Sequence, residues 1–243
     1  MKIVFKNSLM VFLIILICPF IILGCGSNDS EKAVVPIKQK QLLVLVYDIS
    51  QSVDSYAILS PSSLENIYSS IGSKGGGKFY GVFIKTNSAK QEPITDSVSA
   101  LELLEMKGNA YQRTNRERRN ETLLAKFEAG KEQFMTSTRK LLVPKKEPFS
   151  DVRNALELAR QIIEIPDYAS WNKHLLIISD LENDLPPVNG LDKMQPVIFK
   201  GDTHIGIVRP SKEISVSEIM PGVQYTVYST IDDAIQSMFN YPK

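Results

Sequence analysis

Apolar residues are grouped along the chain in short continuous runs that polar segments separate. The clearest run is Leu-Leu-Val-Leu-Val-Tyr at residues 42–47. Similar runs occupy residues 79–84, 175–178, 204–208 and 225–228. A continuous apolar run of this length is typical of a strand that is buried on both faces of a sheet. The pattern therefore predicts five strands.

Helical periodicity fills the stretches between these runs. Four segments carry it: residues 62–71, residues 120–143, a segment opening at Ser150 or Asp151, and a last one opening at Thr230 or Asp232. The long second segment has the apolar positions Leu123, Leu124, Phe127, Phe134, Leu141 and Leu142. Strands that alternate with amphipathic helices predict a single α/β domain, with a doubly wound, mostly parallel sheet and helices on both faces.

The N-terminus has the layout of a secretory signal. Lys2 and Lys6 precede an apolar run at residues 9–23, and Gly24 stands directly before Cys25. A charged start, a short apolar run and a small residue at its end are the parts of a signal peptide. The run is also shorter than the ~20 residues that a membrane-spanning helix needs.

The sequence Ile-Leu-Gly-Cys at residues 22–25 resembles the lipobox of bacterial lipoproteins. The resemblance implies that the signal peptide at residues 1–24 is removed and that Cys25 carries thioether- and amide-linked acyl chains, which anchor a chain firmly. Residues 25–40 are then a lipidated flexible tether, and residues 41–243 form the domain. The expected location is the bacterial cell envelope, at the outer membrane because no Asp follows the cysteine. The alternative is an uncleaved signal anchor with an incidental thiol.

Composition narrows the classes of partner. The chain has 28 Lys and Arg against 27 Asp and Glu, a formal net charge of +1, which argues against broad attraction to nucleic acid. Residues 100–119 hold four arginines, interrupted by Glu117, and we interpret them as a solvated loop or helix face. Only two cysteines are present, Cys18 and Cys25, so the rest of the chain can form neither a disulfide framework nor a zinc site with Cys ligands.

Oxygen-bearing side chains follow two of the predicted strands. Asp48, Ser50 and Ser52 alternate directly after the first run, and Asp180 follows the run at residues 175–178. Parallel strands end at the same edge of a sheet, and ligands bind outside those ends, so we expect these side chains to line one site. Carboxylate and hydroxyl oxygens suit Mg²⁺, which keeps several waters and needs few protein ligands.

The pattern Asp48-x-Ser50-x-Ser52 after a leading apolar strand resembles the metal-ion-dependent adhesion site of von Willebrand factor type A domains. In that family a second loop supplies a Thr before a helix, and Ser150 stands at the matching place. A third loop supplies an Asp after a buried strand, matched by Asp180. The resemblance implies that Ser50 and Ser52 ligate Mg²⁺, or Mn²⁺ or Ca²⁺, through their hydroxyls and that Ser150 joins them in one of two states. The two aspartates would bind directly or through water.

The resemblance also implies a function. A cation with few protein ligands accepts an Asp or Glu carboxylate from another protein. We therefore expect a membrane-anchored adhesion or complex-assembly module, not an enzyme, with a protein partner and no nucleic acid. The alternative is a metal-free structural subunit of an envelope complex, because Ser150 replaces Thr and Leu181, rather than Gly, follows Asp180. A third candidate is a Mg²⁺-dependent hydrolase that uses Asp48 and Asp180, for which no general base or nucleophile is evident.

Two other catalytic patterns are not met. A phosphatase with an aspartyl nucleophile needs a second Asp two residues after Asp48, where Ser50 stands. Serine catalysis is unsupported, because no G-x-S-x-G motif follows a strand. Both histidines, His174 and His204, are expected at strand starts, at the edge of the sheet opposite the candidate ligands.

Overall fold

The computed structural model describes residues 38–50, 58–142, 146–183, 195–211 and 216–240. Six strands within these ranges form one sheet: β1 Gln41–Asp48, β2 Gly77–Ile84, β3 Ile94–Val98, β4 Asn172–Ile178, β5 Thr203–Val208 and β6 Tyr225–Tyr228. Their order is β3-β2-β1-β4-β5-β6, and every neighbouring pair is parallel except β2 and β3. The five predicted strands are confirmed, and β3 is a sixth that the apolar pattern did not indicate.

Five helices accompany the strands in the described ranges: α1 Pro61–Ser73, α2 Ala110–Ser137, α3 Val152–Ile163, α4 Val216–Ile219 and α5 Ile231–Asn240. Short 3₁₀ turns occupy Ser88–Lys90, Arg139–Leu141 and Pro166–Tyr168. The predictions for α1, α3 and α5 are confirmed. Of the two residues proposed to open α3, Asp151 is the cap, since its side chain accepts the Asn154 N–H at 3.2 Å.

Alternate residues of β1 face two separate hydrophobic clusters, and all eight of its residues are buried. Leu43, Leu45 and Tyr47 pack with buried side chains of α1, α2 and α5. Leu42, Val44 and Val46 pack with those of α3 and α4. Each such side chain contributes about 1.5–3 kcal/mol when it leaves water. The protein is thus an α/β domain with helices packed on a six-stranded, mostly parallel sheet.

The long helix α2 differs from its prediction at both ends. It begins ten residues before residue 120, because Asn109 and Gln112 form a reciprocal capping box with two hydrogen bonds of 3.0 Å. It ends at Ser137, where a 3₁₀ turn replaces it. A capping box satisfies two of the free N–H groups at a helix start, so this start depends on polar side chains and not on apolar periodicity.

The predicted apolar face of α2 is also only partly buried. Phe127 and Phe134 are its two buried residues. Leu124 is 41% exposed, and Leu123 is half-buried. Leu124 departs from the predicted apolar face because nothing in the described part of the chain buries its side chain.

None of the helices in the described residues has the length and hydropathy to cross a membrane. The predicted signal peptide, Cys25 and the tether up to residue 37 lie outside the described residues.

Candidate functional site

Four of the five predicted ligand residues lie in the described ranges, and they come to the carboxyl edge of the sheet, where β1 and β4 end. The two strands are parallel neighbours, with Tyr47 opposite Ile178, so the residues that follow them, Asp48 and Ser179, leave the sheet side by side. Three segments meet at this edge: residues 48–50 after β1, residues 147–151 before α3, and residues 179–183 after β4. The topology thus joins positions that are far apart along the chain.

Asp48 is the most enclosed acidic group of this edge, with 2% of its surface exposed. Its Oδ1 accepts the Ser50 N–H at 2.9 Å. Its Oδ2 accepts the Ser179 hydroxyl at 2.7 Å, and the Ser179 oxygen in turn accepts the Leu181 N–H at 2.9 Å. The carboxylate therefore links the first and third segments directly.

Burial raises the pKa of the Asp48 carboxyl above its usual range, because a low-dielectric surrounding disfavours the charged form. Hydrogen bonds from Ser179 and Ser50 favour the charged form and offset part of this effect. The ion pairs of the described residues do not include Asp48. In the described part of the chain, the Asp48 carboxylate therefore has no ion-pair partner.

Ser150 is fully buried and connects the second segment to the third. Its hydroxyl donates to the Glu182 carbonyl at 2.9 Å. The next turn reinforces the connection, because the Val152 N–H at the start of α3 donates to the Asn183 side chain at 3.0 Å. The Asp151 N–H donates to the Lys85 carbonyl at 3.1 Å, which ties the same loop to the end of β2.

Ser50 lies at the junction of the first and second segments. It is 5% exposed and forms an isolated parallel bridge with Glu147, whose N–H donates to the Ile49 carbonyl at 2.9 Å. Ser52, the third residue of the predicted motif, lies outside the described residues.

Asp180 turns the third loop. Its Oδ1 accepts the Glu182 N–H at 3.0 Å, and its carbonyl accepts the Ser211 N–H at 2.9 Å. Leu181, which stands where the resembled family has Gly, has a positive φ of 65° and a fully buried side chain. Only Gly adopts this left-handed conformation without steric cost, so the loop has a backbone suited to Gly although the residue is Leu.

The structure therefore places Asp48, Ser50, Ser150 and Asp180 on three adjoining segments of one edge. Sequence reasoning missed Ser179, although a hydroxyl residue directly before Asp180 at a strand end was a usable signal. The described residues contain no group of three or more His, Cys, Asp or Glu side chains that could hold a metal.

The two histidines lie at the opposite, amino edge of the sheet. His174 and His204 are paired positions of β4 and β5, and their ring centroids are 5.4 Å apart. His174 Nε2 lies 3.0 Å from Gln41 Oε1 at the start of β1. Their predicted location at strand starts is confirmed, and neither ring can act on a group bound at the carboxyl edge.

Comparisons with known proteins show a distant structural likeness. No protein-family model matches the chain, and no curated protein matches it. The chain is similar to the crystal structure of the pilus adhesin SpaC from Lactobacillus rhamnosus GG, with a TM-score of 0.40 and 10% sequence identity. The likeness covers 83% of this chain and 30% of that chain. At this level it shows neither a family nor a function.

Proposed function

We propose that this chain is a membrane-anchored, protein-binding module that holds a divalent cation at the carboxyl edge of a doubly wound sheet of the von Willebrand factor type A kind. Strand order supports the proposed arrangement, because β2 lies on one side of β1 and β4 on the other. In doubly wound sheets the ligand site is found outside the strand ends at this change of direction.

The observation that carries the proposal is the meeting of three segments through the bonds from Ser179 to Asp48 and from Ser150 to the Glu182 carbonyl. The side chains that meet offer only oxygen donors, the chemistry that Mg²⁺ and related cations select. Asp48, Ser50, Ser150 and Asp180 would hold the cation, together with Ser52. A bound cation would supply the positive charge that the buried Asp48 lacks.

The partner in this proposal is a protein that presents an Asp or Glu side chain. When bound, the cation supplies a Lewis acid with an open position for that carboxylate, which forms a charge-assisted bond. The chain's own residues hold and orient the ion, and the proposal assigns no catalytic step. The lipidated Cys25 would keep the module at the cell envelope, in agreement with the lipobox resemblance.

The proposal is tested by unfolding the full chain in urea, kept in a neutral detergent, with increasing Mg²⁺ or Mn²⁺. A ligand that binds only the folded state adds about 2.7 kcal/mol at a hundredfold excess over its Kd. We expect this gain in the native chain and its loss in Asp48→Asn. Asp202→Asn is the matched control, since Asp202 is an exposed aspartate at the amino edge, and it should keep the gain.

A second experiment asks whether the bound cation captures a carboxylate from a partner. A soluble peptide with a single Glu among neutral residues should bind the native chain more tightly with Mg²⁺ than with a chelator. Asp48→Asn should bind it equally under both conditions. Equal unfolding with and without Mg²⁺ and Mn²⁺ would contradict the proposal.

A second candidate is a metal-free structural subunit of an envelope complex. One observation favours it: both oxygens of Asp48 and the hydroxyl of Ser150 already have hydrogen-bond partners within the chain. Such a network is complete without an ion. The unfolding experiment separates the two candidates, because only the first predicts a gain with the cation.

A further inference from the structure

Helix α2 begins far outside the hydrophobic core. None of residues 110–126 is buried, and Phe127 is the first buried residue of the helix. At 1.5 Å per residue this unburied part is about 25 Å long. A helix of this length gains little stability from propensity alone and normally packs one face against a neighbour. Packing against the core therefore does not account for the stability of the first half of α2.

The unburied half projects past the amino edge of the sheet. Phe127 packs against Gly72, just before β2 begins, where an added Cβ would lie 2.3 Å from the Phe127 ring. Two turns later, Phe134 packs edge-to-face against Phe79 of β2, with ring centroids 5.2 Å apart. The helix thus runs from the amino edge toward the carboxyl edge, and its first half lies beyond the sheet, at the end opposite the candidate cation site.

A second segment runs along this half-helix and is tied to it by side chains. Asn120 accepts the Leu104 N–H at 2.7 Å and donates to the Leu104 carbonyl at 2.9 Å. Arg116 donates to the Glu105 carbonyl at 2.8 Å, and Arg113 donates to the Gly108 carbonyl at 2.9 Å. Residues 101–126 therefore form an ordered projection, which we call the arm.

The arm displays apolar side chains to solvent. It carries five of the nine large exposed hydrophobic side chains of the described residues: Leu103, Leu104, Met106, Tyr111 and Leu124. One of them, Leu104, lines an open surface cavity of about 360 Å³ together with Leu123, Thr122, Arg118 and Arg119. Clustered exposed apolar groups with a polar rim are characteristic of protein interaction sites.

The charges of the arm define its partner further. Six basic and four acidic side chains alternate over residues 101–126, which disfavours a continuous polyanion such as nucleic acid. Arg118 and Arg119 flank the apolar cavity, and the ion pairs of the described residues include neither. Arginine pairs with carboxylates through two parallel hydrogen bonds, which gives it geometric specificity for them.

We infer that the arm is a second docking surface, which binds a protein segment with an apolar side chain for the cavity and flanking Asp or Glu side chains for Arg118 and Arg119. This surface is separate from the proposed cation site, because the two lie at opposite ends of the sheet. Both can therefore be occupied at once. The inference does not depend on whether the carboxyl edge holds a cation.

The test uses the full chain in a neutral detergent and a labelled synthetic helical peptide with leucines on one face and glutamates on the other. Fluorescence anisotropy should show binding that weakens with salt, since the contact is partly electrostatic. The double variant Arg118→Glu, Arg119→Glu should bind at least tenfold more weakly. A matching peptide with lysines in place of the glutamates should prefer the variant over the native chain.

Arg139→Glu, Lys140→Glu is the matched control, an exposed basic pair beyond the other end of α2. It should bind the acidic peptide as the native chain does. Equal binding of the acidic and basic peptides by the native chain would overturn the inference, as would equal losses in both double variants. So would a preference for phosphatidylglycerol vesicles or for single-stranded oligonucleotides that depends on Arg118 and Arg119 while the peptide fails to bind.

Discussion

The two ends of the sheet have opposite distributions of polar and apolar groups. At the carboxyl edge, polar side chains such as Asp48, Ser150 and Ser179 are buried, and their hydrogen bonds join the three segments that meet there. On the arm, apolar side chains such as Leu103 and Tyr111 are exposed. A folding sequence normally places these groups the other way round, and departures from that rule concentrate at functional sites. The comparison therefore indicates two candidate functional surfaces in one domain, the carboxyl edge and the arm.

The largest expected difference in stability is between two aromatic residues of α2, one in the core and one on the arm. Phe134 packs between Tyr68 and Phe79, and Phe134→Ala should lower the free energy of unfolding by about 3–5 kcal/mol. Tyr111 is 76% exposed on the arm, and Tyr111→Ala should change it by less than about 0.5 kcal/mol. Urea unfolding measures both. A large loss for Tyr111→Ala would mean that the arm is part of the core.

The buried carboxylate should make stability depend on pH. Burial raises the folded-state pKa of Asp48, so between its unfolded and folded values the folded state holds an extra proton. The free energy of unfolding therefore falls as pH rises through that window, by up to about 1.4 kcal/mol per pH unit. Measured in chelator, Asp48→Asn should lack this decline, and Asp202→Asn should keep it. Identical profiles for the native chain and Asp48→Asn would contradict the assignment.

Leu181, the left-handed residue of the third loop, should tolerate Gly better than Ala, the reverse of the order expected inside a helix. Leu181→Ala and Leu181→Gly both lose a buried side chain, but only Gly relieves the strain at φ 65°. Leu181→Gly should therefore be the more stable of the two by about 1 kcal/mol. At Leu156, buried inside α3, Gly should be the worse replacement by about the same amount. If Ala were the more stable replacement at both positions, the loop would be unstrained.

The smallest effect is expected for the arm's cationic pair. Arg118→Glu, Arg119→Glu should leave the free energy of unfolding within about 0.5 kcal/mol of the native value, because both side chains are exposed. The same variant is expected to lose the acidic peptide. Stability that fell together with binding would assign the pair to folding and not to docking.

Elements with strong apolar patterns could be predicted from the sequence. The run at residues 42–47 and the stripe from Val152 to Ile163 became β1 and α3 because packing on both faces of the sheet requires those side chains. Strand β3 was missed because it is a five-residue edge strand whose alternate residues are exposed. The start of α2 was missed because a polar capping box, rather than an apolar period, sets it.

The candidate site was predictable in position but not in its bonding. Asp48, Ser50 and Asp180 share one edge because strand ends in a parallel sheet share one, and Ser150 joins them because its segment bridges to Ser50 at Glu147. Which polar atoms pair depends on loop conformation, and the sequence does not encode that in a period. Hence Ser179, the donor to Asp48, emerged only from the structure.

Among the described residues, the arm meets the rest of the domain at Leu101, whose N–H donates to the Gly72 carbonyl at 2.9 Å and whose side chain packs on the core. Its helix then continues into the buried Phe127. Its other ties, from Asn120, Arg116 and Arg113, remain inside residues 101–126. A segment built in this way can be shortened, lengthened or exchanged during evolution while the sheet stays intact. A change confined to the arm can therefore alter the docking that we infer for it while the core stays as it is.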